Sequence, residues 1–369
     1  MNLPAQDGRA AARAENANGA AAPADAGPGE QAGIVLDASG GDAPLAERLT
    51  GALEAAALYP DVHLSLCGIE AEMEAELGRI GSCPANVSLV HAPDMIGMHE
   101  SPVRALREKK NSSIGVGIAM VADGRADAFV SAGNTGAVAA ASTLKLGRLR
   151  GVQRPGIAAA MKVFDHDVVA IDVGANVDCK PMHLLQYGIM ATVFSREVLN
   201  VENPRVGLLN VGEESAKGNE LVKRAFELLS TADLNFVGNI EPESICDDSC
   251  DIVVCDGFVG NVMLKLGESL TMKLIGWLRQ EVRASLRYKM GFLLCKSLFR
   301  HLKECADYTE YGGAPLLGIK GVTIITHGTS DANAIRNAIR EARMFVEHHV
   351  NEHMEEAIQT DVAARQTEA

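Results

Sequence analysis

Ala126-Asp127-Ala128-Phe129-Val130-Ser131-Ala132-Gly133-Asn134-Thr135-Gly136-Ala137 is the stretch on which the reading of the fold turns. A mostly apolar run, 126–130, enters a turn rich in Gly and Asn, and a small-residue helical stretch leaves it over 137–146. A strand that ends in such a turn and opens a helix is one unit of a parallel sheet. The turn also leaves several backbone N–H groups facing one space at the positive end of a helix dipole, which suits an anion. Ser131, Asn134 and Thr135 add side-chain donors. With Gly133 and Gly136 they form a candidate phosphate cradle, although turn chemistry alone also explains Gly, Asn and Ser here.

The same pattern extends in both directions. Strand-like runs at 34–36, 63–67, 87–91, 128–131, 168–172, 205–211, 235–238, 252–255 and 322–326 alternate with helical patterns. That alternation predicts an α/β fold, a three-layer α/β/α sheet of parallel strands with helices on both faces. Nearly every run ends in Gly, Asp or Asn, and in doubly wound sheets that carboxyl edge is where ligands bind. The turns are therefore expected to converge on one edge.

A chain of 369 residues, 47% hydrophobic, is long enough for one large α/β domain. Its formal net charge of −14 argues against nucleic acid as a partner. The eight cysteines form no C-x-x-C, and the loose group Cys246, Cys250 and Cys255 has no nearby histidine. They read as reduced thiols in a cytosolic protein, with no metal and no cofactor expected. No stretch has the length of a membrane span, and the start of the chain has no signal-peptide pattern. Residues 1–32 are rich in Ala, Gly, Pro and Asn, which predicts a disordered leader. Residues 33–350 are expected to form the folded domain, and 351–369 a polar C-terminal tail.

One segment departs from the acidic balance. Residues 265–303 carry nine basic side chains against only Glu268 and Glu281, interleaved with Leu270, Trp277, Leu286, Leu294 and Phe299. This predicts two basic amphipathic helices joined near Lys289-Met290-Gly291. A dimer interface, an anionic membrane surface and a docking site for an acidic protein all fit that pattern.

The remaining strand ends repeat one chemistry. Asp172-Val173-Gly174-Ala175-Asn176, Asn210-Val211-Gly212, Lys217-Gly218-Asn219, Asp256-Gly257 and His327-Gly328-Thr329 are rich in neutral donors and poor in bases. Such turns suit anion binding and positioning more than proton abstraction. Singly, Asp172 also reads as a turn former, Lys217 as a surface lysine at a helix start, and His327 as a strand-end hydrogen-bond partner. The chain has no G-x-S-x-G elbow and no H-E-x-x-H, and its first strand is not followed by G-x-G-x-x-G.

Six motifs in order resemble the bacterial phosphate acyltransferases of phospholipid synthesis, the PlsX family, over about 33–345. They are SAGNTGA (131–137), DVGANVDC (172–179), NVGEESAKGN (210–219), GNIE (238–241), DGFVGN (256–261) and YGGAPLLG (311–318). The resemblance implies the fold of phosphotransacetylases and isocitrate-dehydrogenase-like enzymes, with a protruding helical hairpin at 266–303. It implies transfer of a fatty acyl group from acyl carrier protein to inorganic phosphate, with no covalent enzyme intermediate. It also implies a homodimer, peripheral contact with the inner face of the membrane, and a membrane glycerol phosphate acyltransferase that consumes the product.

On that reading the Ser131–Gly136 turn holds phosphate, and Lys217 with Asn210 and Asn219 offsets its charge. Asn176 stabilises the thioester oxyanion, Asp172 and Asp256 orient donors, and His327 assists the leaving thiol. Asn134, Asn176, Lys217, Asn219 and His327 are then the catalytic set. Trp277, Arg283, Arg287, Leu294 and Phe299 form the membrane and carrier surface. The family's first turn, D-x-M-G-G-D with Pro after two further residues, is here Asp37-Ala38-Ser39-Gly40-Gly41-Asp42-Ala43-Pro44, with Ser for Met and one residue fewer. Two other readings stand beside this one: a short-chain phosphotransacetylase using acyl-CoA, and a non-catalytic membrane or carrier-binding module of the same fold.

Overall fold

The computed structural model describes residues 31–81, 83–163, 166–297 and 311–368. Residues 1–30 of the expected leader, and Phe299 in the basic segment, lie outside the described residues. The strands form one eleven-stranded sheet in the order β3-β2-β1-β4-β11-β10-β5-β6-β9-β7-β8. They are β1 (Ala32–Asp37), β2 (Val62–Gly68), β3 (Val87–His91), β4 (Ala128–Ser131), β5 (Gly156–Val163) and β6 (His166–Ile171). The rest are β7 (Val206–Leu209), β8 (Phe236–Ile240), β9 (Ile252–Val254), β10 (Ala314–Leu317) and β11 (Val322–Ile325). All nine expected strands are present.

The other two, β5 and β10, change the geometry. β10 pairs antiparallel with β11 and with β5, and β5 pairs antiparallel with β6. Elsewhere neighbours run parallel. Three successive reversals turn the second half of the sheet against the first. The register shows it: Ile325 at the end of β11 faces Ala314 at the start of β10, whereas Leu317 at the end of β10 faces Gly156. Ala158, near that start of β5, faces Ile171 at the end of β6. The carboxyl ends of β1, β4 and β11 thus lie on one edge of the sheet, and those of β6, β7 and β9 on the opposite edge.

Alternation along the central strands builds a core on each face. Ile34, Leu36, Val130 and Ile171 belong to one buried cluster, and Val35, Phe129 and Ala170 to the other. Helices cover both faces. Helix α1 (Leu45–Leu58) is followed by α2 (Glu70–Ile80), α3 (Pro102–Glu108), α4 (Ser113–Ala122), α5 (Thr135–Lys145) and α6 (Pro181–Glu197). Then come α7 (Glu220–Ser230), α8 (Gly257–Ala284), α9 (Leu286–Leu294), α10 (Ala332–Glu347) and α11 (Val350–Glu368). The stretch expected to be a polar tail is helix α11, whose Val350, Met354 and Ile358 are fully buried in the first cluster. Those three, spaced by four, make one apolar stripe on a helix.

Helix α8 stands apart. Of its 28 residues only Gly257 and Gly260 are buried. Leu266, Leu270, Leu274 and Trp277 form an exposed stripe, with Trp277 at 57% exposure. Its break from α9 falls at Ser285, extended at φ −135° and ψ 134°, and not near residues 289–291.

Candidate functional site

The opposed halves separate the residues expected to converge. Four strand spacings of about 4.8 Å lie between β4 and β6, so Ser131 and Asp172 are roughly 20 Å apart, on opposite edges.

On the first edge, the buried Asp37 carboxylate organises the turn. Its Oδ1 accepts the N–H groups of Ser39 at 3.1 Å and Gly40 at 2.8 Å, and its Oδ2 accepts Ser131 Oγ–H at 2.7 Å. Ser131 Oγ in turn accepts the Gly133 N–H at 3.0 Å. Asn134 is the N-cap of α5: its Oδ1 accepts the Ala137 N–H at 3.0 Å. Its Nδ2 faces the carbonyls of Gly97, Met98 and Glu100 at 3.1–3.2 Å. Ser131, Gly133 and Asn134 therefore spend their donors within the protein, beside a negative charge that repels an anion. Thr135 and Gly136 remain exposed.

His327, also on this edge, pairs Nδ1 with Thr329 Oγ1 at 2.8 Å. The shortened first turn is braced by buried Arg48, which donates to Ala38 O at 2.8 Å and Ala43 O at 2.6 Å. Burial lowers the Arg48 pKa, with the charge of Asp37 opposing.

The second edge is built around Asp172, which is fully buried. Its Oδ1 accepts the N–H groups of Ile157, Gly174 and Ala175 at 2.9–3.0 Å, and its Oδ2 accepts Asn176 N–H at 2.7 Å and Nδ2–H at 3.2 Å. Burial raises the Asp172 pKa, while these donors pull the other way. Asn176 Nδ2 also faces Pro155 O at 2.6 Å and Tyr187 Oη at 2.9 Å. The amide expected to hold an oxyanion thus points its Nδ2 at Pro155 O, Asp172 Oδ2 and Tyr187 Oη.

Helix α8 starts directly on this turn. The Gly257 N–H donates to Asn176 O at 2.9 Å, and Asp256 Oδ1 caps the helix by accepting Phe258 and Val259 N–H at 2.9–3.0 Å. The approach is so close that a Cβ on Gly260 would fall 2.0 Å from Asp172 O, and one on Gly257 would fall 2.6 Å from Asn176 O. Further along the edge, Asn210 Nδ2 donates to Lys217 O at 3.2 Å, and Asn219 Oδ1 caps α7 by accepting Val222 N–H at 3.0 Å. The Lys217 ammonium is half-exposed and lies 3.9 Å from Glu214 Oε2.

Beside the Asp172 turn opens a cavity of about 450 Å³, lined by Thr143, Arg148, Gln153, Arg154, Lys180 and His183 together with Pro155. The size is that of a small-molecule site. Pro155 is the residue whose carbonyl Asn176 holds. The backbone N–H of Lys180 donates to His183 Nδ1 at 3.1 Å, fixing that nitrogen as an acceptor. Burial, Arg154 and Lys180 hold the imidazole below its usual pKa, so it is neutral at neutral pH. Sequence reasoning missed these residues. Arg148, Arg150 and Arg154 within seven positions, and Lys180 directly after the 172–179 motif, were the available signals. Among the described residues no group of carboxylates, histidines and cysteines is arranged to hold a metal ion, and no helix is long and apolar enough to cross a membrane.

Residues 32–353 match the model of a family described as "Fatty acid synthesis protein". A phosphate acyltransferase of Pelotomaculum thermopropionicum is 46% identical over 327 residues, 89% of this chain and 95% of that protein. One from Geotalea daltonii is 43% identical over 326 residues, 88% of this chain and 94% of its own. Among solved structures, a phosphotransacetylase from Streptococcus pyogenes superposes with a TM-score of 0.58 at 17% identity, covering 86% of this chain and 95% of that one. The EutD phosphotransacetylase from Staphylococcus aureus gives 0.54 at 16% identity, over 86% and 95% of the two chains. These two likenesses bear on the fold alone.

Proposed function

Because the chain belongs to the fatty acid synthesis protein family, we propose that it transfers a fatty acyl group from an acyl carrier protein thioester to inorganic phosphate. It is an acyltransferase whose relatives are phosphate acyltransferases. In the proposed step a phosphate oxygen attacks the thioester carbonyl, the C–S bond breaks, and the proton of HPO₄²⁻ ends on the carrier sulfur. The products are acyl phosphate and carrier thiol.

Phosphate is largely dianionic near neutral pH, its second ionisation lying near about 6. The leaving thiolate belongs to a thiol of pKa about 8.5, so neither a strong base nor a strong acid is needed. Alignment of the two reactants can contribute roughly 7–11 kcal/mol to lowering the barrier.

The observation that carries direct attack is that the Asp172 edge offers no activated nucleophile among the described residues. Burial raises the Cys179 thiol above its ordinary pKa, so it stays protonated. Burial likewise drives the Tyr187 hydroxyl up, and the Asp172 carboxylate is occupied by five N–H contacts. Asp172, Asn176, Asn210, Asn219 and Asp256 then act by holding the turns in place, and Lys217 brings positive charge to the same edge. The exposed stripe of α8 and the Leu286, Met290 and Leu294 side of α9 suit an acyl chain or a lipid surface. The proposal extends to Arg283 and Arg287 docking the acidic carrier, Trp277 and Leu294 meeting the inner face of the membrane, and a homodimer. It also includes delivery of the product to a membrane glycerol phosphate acyltransferase.

The test is incubation with long-chain acyl carrier protein and labelled phosphate. Hydroxylamine-sensitive acyl phosphate should form, the enzyme quenched mid-turnover should keep its unmodified mass, and Cys179→Ser should remain active. An acylated enzyme, or no product from folded protein, would sink the reading.

A further inference from the structure

We propose that the cavity beside the Asp172 turn is a binding site for a tetrahedral phosphate group, held by Arg154 and Lys180 with Arg148 at its rim. The proposal deepens the acyl-transfer reading and rests on it for the source of the phosphate. Three cationic side chains line the space and no carboxylate does, among the described residues. Arg148 donates one guanidinium N–H to the Gln153 carbonyl, which fixes its position and leaves further N–H groups available. Neither Arg154 nor Lys180 has a carboxylate within ion-pair distance among the described residues, in a chain with fourteen more acidic than basic side chains. Unneutralised positive charge gathered in one concavity is a site for an anion.

Helix α6 reinforces it. Lys180 and His183 flank the first turn of a 17-residue helix, whose positive end therefore faces the cavity wall. Pro181 at the first helical position supplies no N–H, and His183 Nδ1 takes that of Lys180, so the imidazole presents its Nε2–H as a neutral donor. Thr143, also on the lining, spends its one hydroxyl proton on Ala139 O at 2.7 Å, so the donors to an anion are the cations and His183. The other candidate places lack this character. The Ser131 turn holds the Asp37 carboxylate at its centre. The second cavity, about 410 Å³ and lined by Glu213, Phe226, Val237 and Asn239, contains no cation.

The location suits the reaction. Lys180 follows Asn176 by four residues in one turn, and Pro155 is tied to that turn by the Asn176 amide. Asn176 also links the cavity wall to the start of α8, the helix with the exposed apolar stripe, since its Nδ2 holds Pro155 O and its carbonyl accepts the Gly257 N–H. Two phosphate groups of the reaction share this chemistry: the attacking inorganic phosphate, and the phosphodiester of the carrier's prosthetic arm.

Calorimetric titration of the full chain with inorganic phosphate, and separately with holo-carrier protein, decides the matter for wild type, Arg154→Ala, Lys180→Ala and Arg154→Lys. All these side chains are exposed, so the variants should keep the wild-type Tm, which is measured alongside. A loss of about 10–100-fold in phosphate affinity for the Ala variants, partly restored in Arg154→Lys, supports inorganic phosphate as the occupant. The same loss confined to the holo-carrier supports the arm phosphodiester. Unchanged affinity for both ligands overturns the site, even if acyl phosphate is still formed. Lost phosphate binding in the variants, with no acyl phosphate made by the wild type, keeps the site and overturns the reaction.

Discussion

Asn134→Ala separates a ligand from a strut. The sequence pattern makes Asn134 a phosphate donor, but in the folded chain its amide closes the first turn of α5 and points Nδ2 at three carbonyls of the 97–100 loop. Asn134 is 6% exposed, so water cannot readily replace those partners. Losing an N-cap side chain costs about 1 kcal/mol. Leaving buried carbonyl oxygens without their donor adds about 1–3 kcal/mol. The expected destabilisation is therefore about 2–4 kcal/mol in urea unfolding, with the phosphate KM of the folded fraction close to wild type. Asn134→Asp keeps the capping oxygen but turns a carboxylate oxygen toward three carbonyls, and should be worse than Ala. Stability equal to wild type, together with a raised phosphate KM, would refute the strut reading and return Asn134 to the phosphate.

Three further outcomes follow from other parts of the molecule. Glu341 is buried, its Oε2 has no hydrogen-bond partner among the described residues, and burial raises its pKa well above the ordinary carboxylate range. A raised folded pKa means stability that is full below the unfolded pKa of about 4.3 and is lost as pH rises through the folded value. Glu341→Gln should therefore be the more stable protein at neutral pH and should flatten that slope in melts across pH; an unchanged slope would count against it. Gly260→Ala places a methyl 2.0 Å from the backbone carbonyl oxygen of Asp172, an approach that only a backbone shift can relieve; overpacking of about 3 kcal/mol or more, offset only in small part by about 1 kcal/mol of helix propensity, should leave a clear loss of stability and a loss of kcat in the folded fraction. Normal kcat would mean that the α8 start and the Asp172 turn are not coupled. Charge reversal at Arg283 and Arg287 should raise the carrier KM in a salt-dependent way, whereas Trp277→Ala should weaken liposome binding with the carrier KM retained. The opposite pattern would exchange the two surfaces.

The βα units were legible because their strands are short apolar runs punctuated by Gly, Asn and Asp. The two strands that escaped have physical reasons to do so. β5 reads GIAAAMKV, with three consecutive alanines and no alternation, and β10 is four residues long with a proline inside. They are also the strands that reverse the sheet, so missing them implied a single ligand edge where there are two. At the turns the residue types were readable but their partners were not. Asn134 bonds to carbonyls 34–37 positions away and Asn176 to one 21 positions away, contacts that exist only once the fold is assembled. The cavity cations were visible as Arg148, Arg154 and Lys180, yet they are scattered beside the denser basic run at 265–303. In α11 the stripe Val350, Met354, Ile358 was present in the sequence, masked by the polar residues around it.

The seating of α8 has a mechanical meaning. Gly257 and Gly260 leave no slack between the first turn of the helix and the backbone of Asp172 and Asn176, while the remaining residues of its 28 are not buried against the body. Such a helix is about 42 Å long, and its anchored turn spans about 5.4 Å. Trp277 lies about 30 Å along it, so a stiff helix pivoting on the Asp172 turn would act as a lever with an arm ratio of about six. A displacement of several ångströms imposed on the Trp277 end by whatever it rests upon would reach the Asp172 turn as a fraction of an ångström. Shifts of that size in a positioning turn are large enough to retune a reaction that depends on alignment.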